Sequence, residues 1–263
     1  MSAALSSTQS PGVLDKRDWI AGLERGLSLL ETFTESNSRQ TAAQAGQHCG
    51  LTRTAARRYL LTLQHLGYVA SDGKLFWLTP KVMRLGQFYL DSARLPRIVQ
   101  PALQRLAMGT KETAYVSVLD GDEIIFIARN GSNRSMNTGF VLGARVPLHV
   151  TAPGILMLAL QSDEAIERWL AADKLKTFTS HTLTDQALLR TRIKTIRMQD
   201  WSLSEQQLDL SYRGVAVPLR DRRGEVVAAL SVSMPMQFEA SQAAVDRVLP
   251  MLKVTAQSLR NLI

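Results

Sequence analysis

The chain has 263 residues, 45% apolar and 21% charged, enough for two domains that each bury a core. A net charge of +8 and a pI near 9.9 suit a polyanionic partner, and the single cysteine, Cys49, excludes an intramolecular disulfide and a zinc-finger cluster. Met1 to Gly12 is Ser/Ala-rich without an apolar stretch, and the longest apolar run, Ile155 to Leu160, is too short for a bilayer, so the expectation is a cytoplasmic protein with no signal peptide and no membrane partner.

Residues 1–17, with Pro11, Gly12 and no periodicity, read as a disordered tail. Helix 1 is expected from about Asp18 to Thr34, because Trp19, Ile20, Leu23, Leu27, Leu30 and Phe33 recur as one apolar stripe. After a polar turn at Ser36 to Arg39, Thr41 is placed to cap a short helix ending near His48. Gly50 and Leu51 make the corner, and Thr52 caps a third helix that runs to about Leu66 and stops at Gly67. On that helix Ala55, Ala56, Tyr59, Leu60, Leu63 and Leu66 share one arc, while Arg53, Thr54, Arg57, Arg58, Leu61 and Gln64 share the other. Tyr68 to Ser71 and Leu75 to Leu78 flank an Asp72-Gly73 turn, the signature of a hairpin. Residues 18–79 therefore read as a winged helix-turn-helix.

Charge sharpens that reading. No aspartate or glutamate occurs between Ser36 and Ser71, whereas Arg39, Arg53, Arg57 and Arg58 do. An outward cationic helix without competing acids suits DNA phosphates and base edges, so a double-stranded operator is the expected partner. The DNA candidates are Thr52, Arg53, Thr54, Arg57 and Arg58, with Lys74 at the wing tip. The ordinary alternative is a solvated helix face and a hairpin lysine.

Residues 80–108 read as linker helices: Pro80 to about Ala93, with Val82, Leu85, Tyr89 and Leu90 as an apolar face, then an interruption at Pro96 and a second helix to about Met108. Residues 80–112 carry 6 basic against 2 acidic residues, the densest excess in the chain. Residues 109–263 change rhythm. Hairpins are expected at Ala114–Ala128 and Arg213–Met234, and helices at Gly154–Ala159, Asp163–Ala171, Asp185–Met198 and Ala240–Leu262. Strand pairs interleaved with helices imply an α+β chain whose C-terminal domain carries an antiparallel sheet.

Ile20-Ala21-Gly22-Leu23-Glu24-Arg25-Gly26-Leu27, Gly50-Leu51-Thr52-Arg53-Thr54-Ala55-Ala56-Arg57-Arg58 and Leu66-Gly67-Tyr68 resemble the N-terminal domain of IclR-type bacterial transcriptional regulators. Leu119-Asp120-Gly121-Asp122, Arg213 to Pro218 and Val227 to Ser233 extend the resemblance through the C-terminal part. Phe76 to Pro80 and Ser92 to Pro96 resemble the branch that regulates breakdown of p-hydroxybenzoate and protocatechuate. The resemblance implies a homodimer or homotetramer held partly through N-terminal domains, and a C-terminal sensor-like effector-binding domain that alters operator engagement.

Two constellations in the C-terminal part suit a small carboxylic acid, aromatic if the branch holds. Ser231 and Ser233 sit two apart in an apolar strand, so their hydroxyls share a face; two water-facing serines are the plain alternative. The loop His149-Val150-Thr151-Ala152-Pro153-Gly154 opens an apolar helix and is expected to leave N–H groups free at Gly154 and Ile155 as a carboxylate cradle, or else simply to cap the helix. The resemblance adds Ser204 and Tyr212 to this site. It also marks departures: Ser204 replaces a common acid, Pro153 lacks an amide hydrogen, and Gly214 is small, so the effector is expected to differ from short keto-acids. Tyr212 can stack on a ring. Arg134 is a candidate carboxylate partner, with Met136 beside it; Arg213 is left open, and His65 and Cys49 read as structural. For catalysis the four histidines are scattered without metal-ligand spacing, and neither a phosphate loop nor a nucleophile elbow is present, so no cofactor and no enzymatic activity are expected. The rivals are an enzyme acting on an aromatic acid, for which only His149 offers a base, and a ligand-independent DNA-binding protein.

Overall fold

A computed structural model describes residues 14–15, 17–131, 140–172, 175–236 and 239–263. The chain divides into two compact units, Met1–Ser92 and Ala93–Ile263.

The first unit contains α1 (Ala21–Glu31), β1 (Gln40–Thr41), α2 (Ala42–His48), α3 (Arg53–His65), β2 (Val69–Ser71), β3 (Leu75–Leu78) and α4 (Met83–Ser92), with a 3-10 turn at Pro80–Val82. Thr41 begins α2 through a capping box: its hydroxyl accepts from the Gln44 amide, and the Gln44 side chain accepts from the Thr41 amide. Gly50 makes the corner at φ +64°, and Thr52 caps α3 by accepting from the Ala55 amide at 3.3 Å. The helices approach closely at Gly46, where a Cβ would stand 2.8 Å from the Leu51 carbonyl and 3.0 Å from the Ala56 Cβ. Leu29, Ala42, Ala45, Ala56, Leu60, Val69 and Phe76 form the buried core beneath.

Four expectations for this unit are corrected. Helix 1 is shorter, Ala21–Glu31 instead of Asp18–Thr34. Its residue in the core is Leu29, flanked by Leu30 and Phe33, while Trp19, Ile20, Leu23 and Leu27 are exposed. Leu66 is exposed too, because α3 ends at His65 and Leu66 serves as its C-cap. Finally, β1 pairs antiparallel with β3 and makes the wing three-stranded, in the order β1-β3-β2. Two residues are too few to produce a visible alternation.

The interruption expected at Pro96 falls at Ala93 instead. Pro96 lies in the first turn of α5 (Arg94–Thr110), where its missing N–H has no intrahelical acceptor to serve. Every residue of α4 is at least partly exposed, so the expected apolar face of Leu85 and Tyr89 is open within this unit.

The second unit is a six-stranded antiparallel sheet, ordered β6-β5-β4-β9-β8-β7, with helices on both faces. Its strands are β4 (Thr113–Asp120), β5 (Glu123–Asn130), β6 (Arg145–Pro147), β7 (Ser202–Glu205), β8 (Tyr212–Arg220) and β9 (Val226–Pro235). The expected hairpins are β4-β5 and β8-β9; β4 and β9 join them at the centre, and the short edge strands β6 and β7 are additions. One face carries Val116, Val215, Leu230 and Val232 against α5 and α9 (Ser241–Leu259). The other carries Tyr115, Phe126, Ala216 and Ala229 against α6 (Ala152–Ala159), α7 (Asp163–Ala171) and α8 (Gln186–Gln199). Alternation along each strand sends successive side chains to opposite cores. That is why β4, β8 and β9 are apolar on both faces.

Candidate functional site: an effector pocket and a DNA-reading face

Strand alternation brings Ser231 and Ser233 to the same face of β9. In the central ladder Ser231 stands opposite Tyr115 of β4 on one side and Ala216 of β8 on the other. Ser233 stands opposite Thr113 and Gly214. The absence of a Gly214 side chain beside Ser233 helps to open a cavity of about 320 Å³ over this face. Seven of the expected residues line it: Thr151, Ala152, Pro153, Ser204, Tyr212, Ser231 and Ser233.

Beside the serines the lining is aromatic. Phe126 and Phe140 stack with centroids 4.4 Å apart and 10° between planes. Tyr115 meets Phe126 edge-on at 5.1 Å and Phe140 at 6.1 Å. Tyr115 is 1% exposed, and its hydroxyl lies toward the Phe140 backbone and the Thr113 side chain. Burial raises its phenol pKa above the ordinary value.

The rest of the lining is fastened in place. Ser202 donates to the Ala152 carbonyl at 2.7 Å, and Ser204 to the Val150 carbonyl at 3.3 Å, so β7 holds the loop that opens α6. The rim at Gln206 and Gln207 is tied to Thr179 and Thr182, which donate to the two rim carbonyls at 2.5 and 2.6 Å. Gln207 also accepts from the Leu183 amide and donates to the His181 carbonyl. Four such bonds preorganise the rim.

Two expected contacts do not form. His149 is fully buried away from the cavity, packed between Trp169 and Phe178, with Nε2 2.9 Å from the Lys176 carbonyl. Burial lowers its pKa, so it is a neutral core group, and His149 is corrected from site residue to packing residue. Gly154 is likewise outside the lining. Its amide donates to Thr151 Oγ1 at 3.1 Å, and the Ile155 amide donates to the Thr151 carbonyl at 3.0 Å, so neither N–H is free for a carboxylate. Gly154 is small for packing: a Cβ there would meet the Leu148 carbonyl at 2.5 Å. Arg134 and Met136 lie outside the described residues.

Arg213, left open above, borders the cavity, but alternation puts its side chain on the opposite face. There its Nε is 3.1 Å from Glu205 Oε1 and donates to Met236 Sδ at 3.2 Å. The sequence reading missed Tyr115, Phe126 and Phe140. Phe126 reads as an ordinary core strand residue, and the approach of Phe140 to it is a tertiary event with no local signal.

On the first unit, Thr52, Arg53, Thr54, Arg57 and Arg58 are all exposed along α3, as is Lys74 at the wing tip. Among the described residues Arg53, Arg57 and Arg58 form no ion pair. The first turn of α3 has no acid, so its N-terminal amides keep their positive field. Asp72 turns the wing by accepting from the Lys74 and Leu75 amides at 3.0 and 2.8 Å, and these bonds hold its carboxyl below the ordinary range. Arg39, beside the wing, lies 4.2 Å above the Trp77 ring.

A winged helix-turn-helix in one compact unit and a walled polar-to-aromatic cavity in the other define a ligand-responsive DNA-binding regulator. Residues 22–73 match the IclR helix-turn-helix domain, and residues 87–261 match the C-terminal domain of the bacterial transcriptional regulator IclR. The chain belongs to the IclR family of bacterial transcriptional regulators; both domains and the relatives are regulators, and the chain is a regulator and not an enzyme. It is 35% identical to the Pca operon regulatory protein of Acinetobacter baylyi, covering 98% of this chain and 95% of that one. It is 36% identical to the p-hydroxybenzoate hydroxylase transcriptional activator of the same organism, covering 98% and 97%. An IclR homologue from Microbacterium hydrocarbonoxydans, solved in complex with 4-hydroxybenzoate, superposes with a TM-score of 0.70 at 25% identity over 91% of this chain and 97% of that one. No helix of the described residues is long and apolar enough to cross a membrane.

Proposed function

We propose that this regulator senses a monocyclic aromatic acid and controls genes for its breakdown. The observation that carries the reading is the mixed lining of one cavity: the Ser231 and Ser233 hydroxyls on one strand, and the Tyr115, Phe126 and Phe140 rings beside them. A carboxylate hydrogen-bonds the serines while the ring lies against the aromatic wall, with Thr151, Ala152, Pro153, Ser204 and Tyr212 enclosing it. The relatives' names and the 4-hydroxybenzoate complex point to the same ligand class. At the other unit, Arg53, Arg57 and Arg58 read base edges or phosphates, Thr52 and Thr54 take phosphate oxygens at the helix N-terminus, and Lys74 reaches the backbone from the wing. The protein works in the cytoplasm as a dimer or tetramer, which the exposed apolar side chains of Trp19, Ile20, Leu23 and Leu27 favour.

Calorimetry on the full chain with 4-hydroxybenzoate, protocatechuate and pyruvate tests the effector. The aromatic acids are expected to bind, pyruvate to bind far more weakly, and the Ser231→Ala, Ser233→Ala double variant to lose about 2–3 kcal/mol of affinity for the aromatic acids. Preference for pyruvate, or unchanged affinity in the double variant, overturns the reading.

A further inference from the structure

Residues 175–183, on the way from α7 to α8, form neither helix nor strand. Among the described residues, the backbone–backbone hydrogen bond of this strap is internal, from the Thr182 amide to the Thr179 carbonyl at 3.2 Å. A segment with so little backbone pairing owes its position to side chains. Its hydrogen bonds to the rest of the described protein run to two places. One is the cavity rim: Thr179 and Thr182 donate to the Gln206 and Gln207 carbonyls, and the Gln207 side chain bridges the Leu183 amide and the His181 carbonyl. The other is His149, whose Nε2 meets the Lys176 carbonyl at 2.9 Å, with the Phe178 ring packed beside the imidazole at 6.3 Å between centroids. A carbonyl only accepts, so Nε2 carries the hydrogen.

Both places belong to the walls of one cavity. Gln206 and Gln207 line it, and His149 immediately precedes the lining residues Val150, Thr151, Ala152 and Pro153. The two lining segments are already joined once, where Ser204 donates to the Val150 carbonyl, and the strap joins them a second time. The rim needs such support. Gln206 holds φ at +56°, a left-handed conformation that a residue other than glycine keeps only where its surroundings enforce it, and Thr179 grips the carbonyl of that residue.

We propose that His149 is a positioning residue for effector binding: through Lys176 it anchors the 175–183 strap, the strap fixes the rim, and the fixed rim retains the acid. The proposal rests on the effector reading above. A rim that is already ordered loses little freedom when the ligand arrives and must yield before it leaves, so loosening it lowers affinity mainly through faster dissociation.

The test measures 4-hydroxybenzoate dissociation by stopped flow and affinity by calorimetry on the full chain. The proteins are wild type, His149→Phe, the Thr179→Val, Thr182→Val pair, all three substitutions together, and His149→Gln. His149→Phe and the threonine pair are each expected to speed dissociation by about tenfold, the worth of roughly one hydrogen bond. The triple variant is expected to be no worse than the more impaired of the two, because both act through one strap. His149→Gln, whose amide can donate to the Lys176 carbonyl, is expected to recover most of the loss. Phe178→Ser severs the same junction from its exposed side and takes the place of His149→Phe if that variant does not fold. Wild-type binding with unchanged dissociation in the variants, losses that multiply in the triple variant, or a His149→Gln as impaired as His149→Phe overturns this assignment alone. Failure of 4-hydroxybenzoate to bind wild type overturns the effector reading, and this assignment falls with it.

Discussion

Arg53 and Arg57 project from α3 without an acidic partner, so their charge is available to DNA. Arg53→Ala or Arg57→Ala is expected to cost about 1–3 kcal/mol of operator affinity at fixed salt where the contact is to a base, and to flatten the salt dependence where it is to a phosphate. Titrations of both variants at two salt concentrations decide this, and unchanged affinity and slope in both would remove α3 from recognition. His149 supplies a different residue-scale prediction. Burial holds its folded pKa below the ordinary 6.5, so below that pH the unfolded chain binds the extra proton and the folded one does not. Stability contributed by keeping the imidazole neutral is thus present above pH 6.5 and declines as the pH falls through the window below it. The melting temperature is expected to drop from pH 7.5 to pH 5.5, and less steeply in His149→Gln; parallel curves for the two proteins would show that another group titrates. At this scale the sequence marks residue type well. It names the serine pair and the outward arginines from period alone, yet it misplaces His149 and Gly154, whose surroundings come from Trp169, Phe178 and Leu148.

The elements α1 and α4 expose apolar side chains that their own unit does not cover: Leu23 and Leu27 on the first, Leu85, Phe88 and Tyr89 on the second. If the α1 stripe is where copies of the chain meet, Leu23→Glu with Leu27→Glu is expected to shift the sedimenting mass to the monomer. The melting temperature of the residue 1–92 unit should change little, because neither side chain is in its core. An unchanged mass in the double variant would place the contact elsewhere. For α4 the expectation concerns coupling. Leu85→Gly with Gln87→Gly lowers helix propensity by about 1 kcal/mol per position and should loosen the connection between the units. Effector binding and operator binding measured separately should persist, while the effect of one on the other shrinks. Most elements were legible because each has a period and a punctuating residue: Thr41, Thr52, Asp185 and Gly50 sit where caps and corners are required. The strands β1, β6 and β7 were not, since runs of 2, 3 and 4 residues carry too little alternation to stand out from a loop.

For the whole molecule, an effector alters DNA binding only if its affinity differs between the states of the protein that the operator also distinguishes. The cavity lies wholly within residues 93–263, so a fragment of residues 1–92 is expected to bind operator and to ignore 4-hydroxybenzoate, whereas in the full chain the acid should change operator affinity or bending. Gel shifts of both proteins with and without the acid measure this. Identical shifts of the full chain, with effector binding confirmed, would favour a regulator that does not respond through this site. The sequence by itself determined the two-part organisation, the winged helix-turn-helix with its acid-free cationic face, the α+β C-terminal half and the common face of Ser231 and Ser233. These follow from helix and strand periods, turn residues and charge, all local in the chain. Only the tertiary structure decided that β4 and β9 pair at the centre of the sheet, that Tyr115, Phe126 and Phe140 gather beside the serines, and that the α6 amides are already satisfied by Thr151. Those facts depend on which strands become neighbours and which side chains compete for each donor, and a pairing such as Tyr115 with Ser231, more than a hundred positions apart, leaves no period in the sequence.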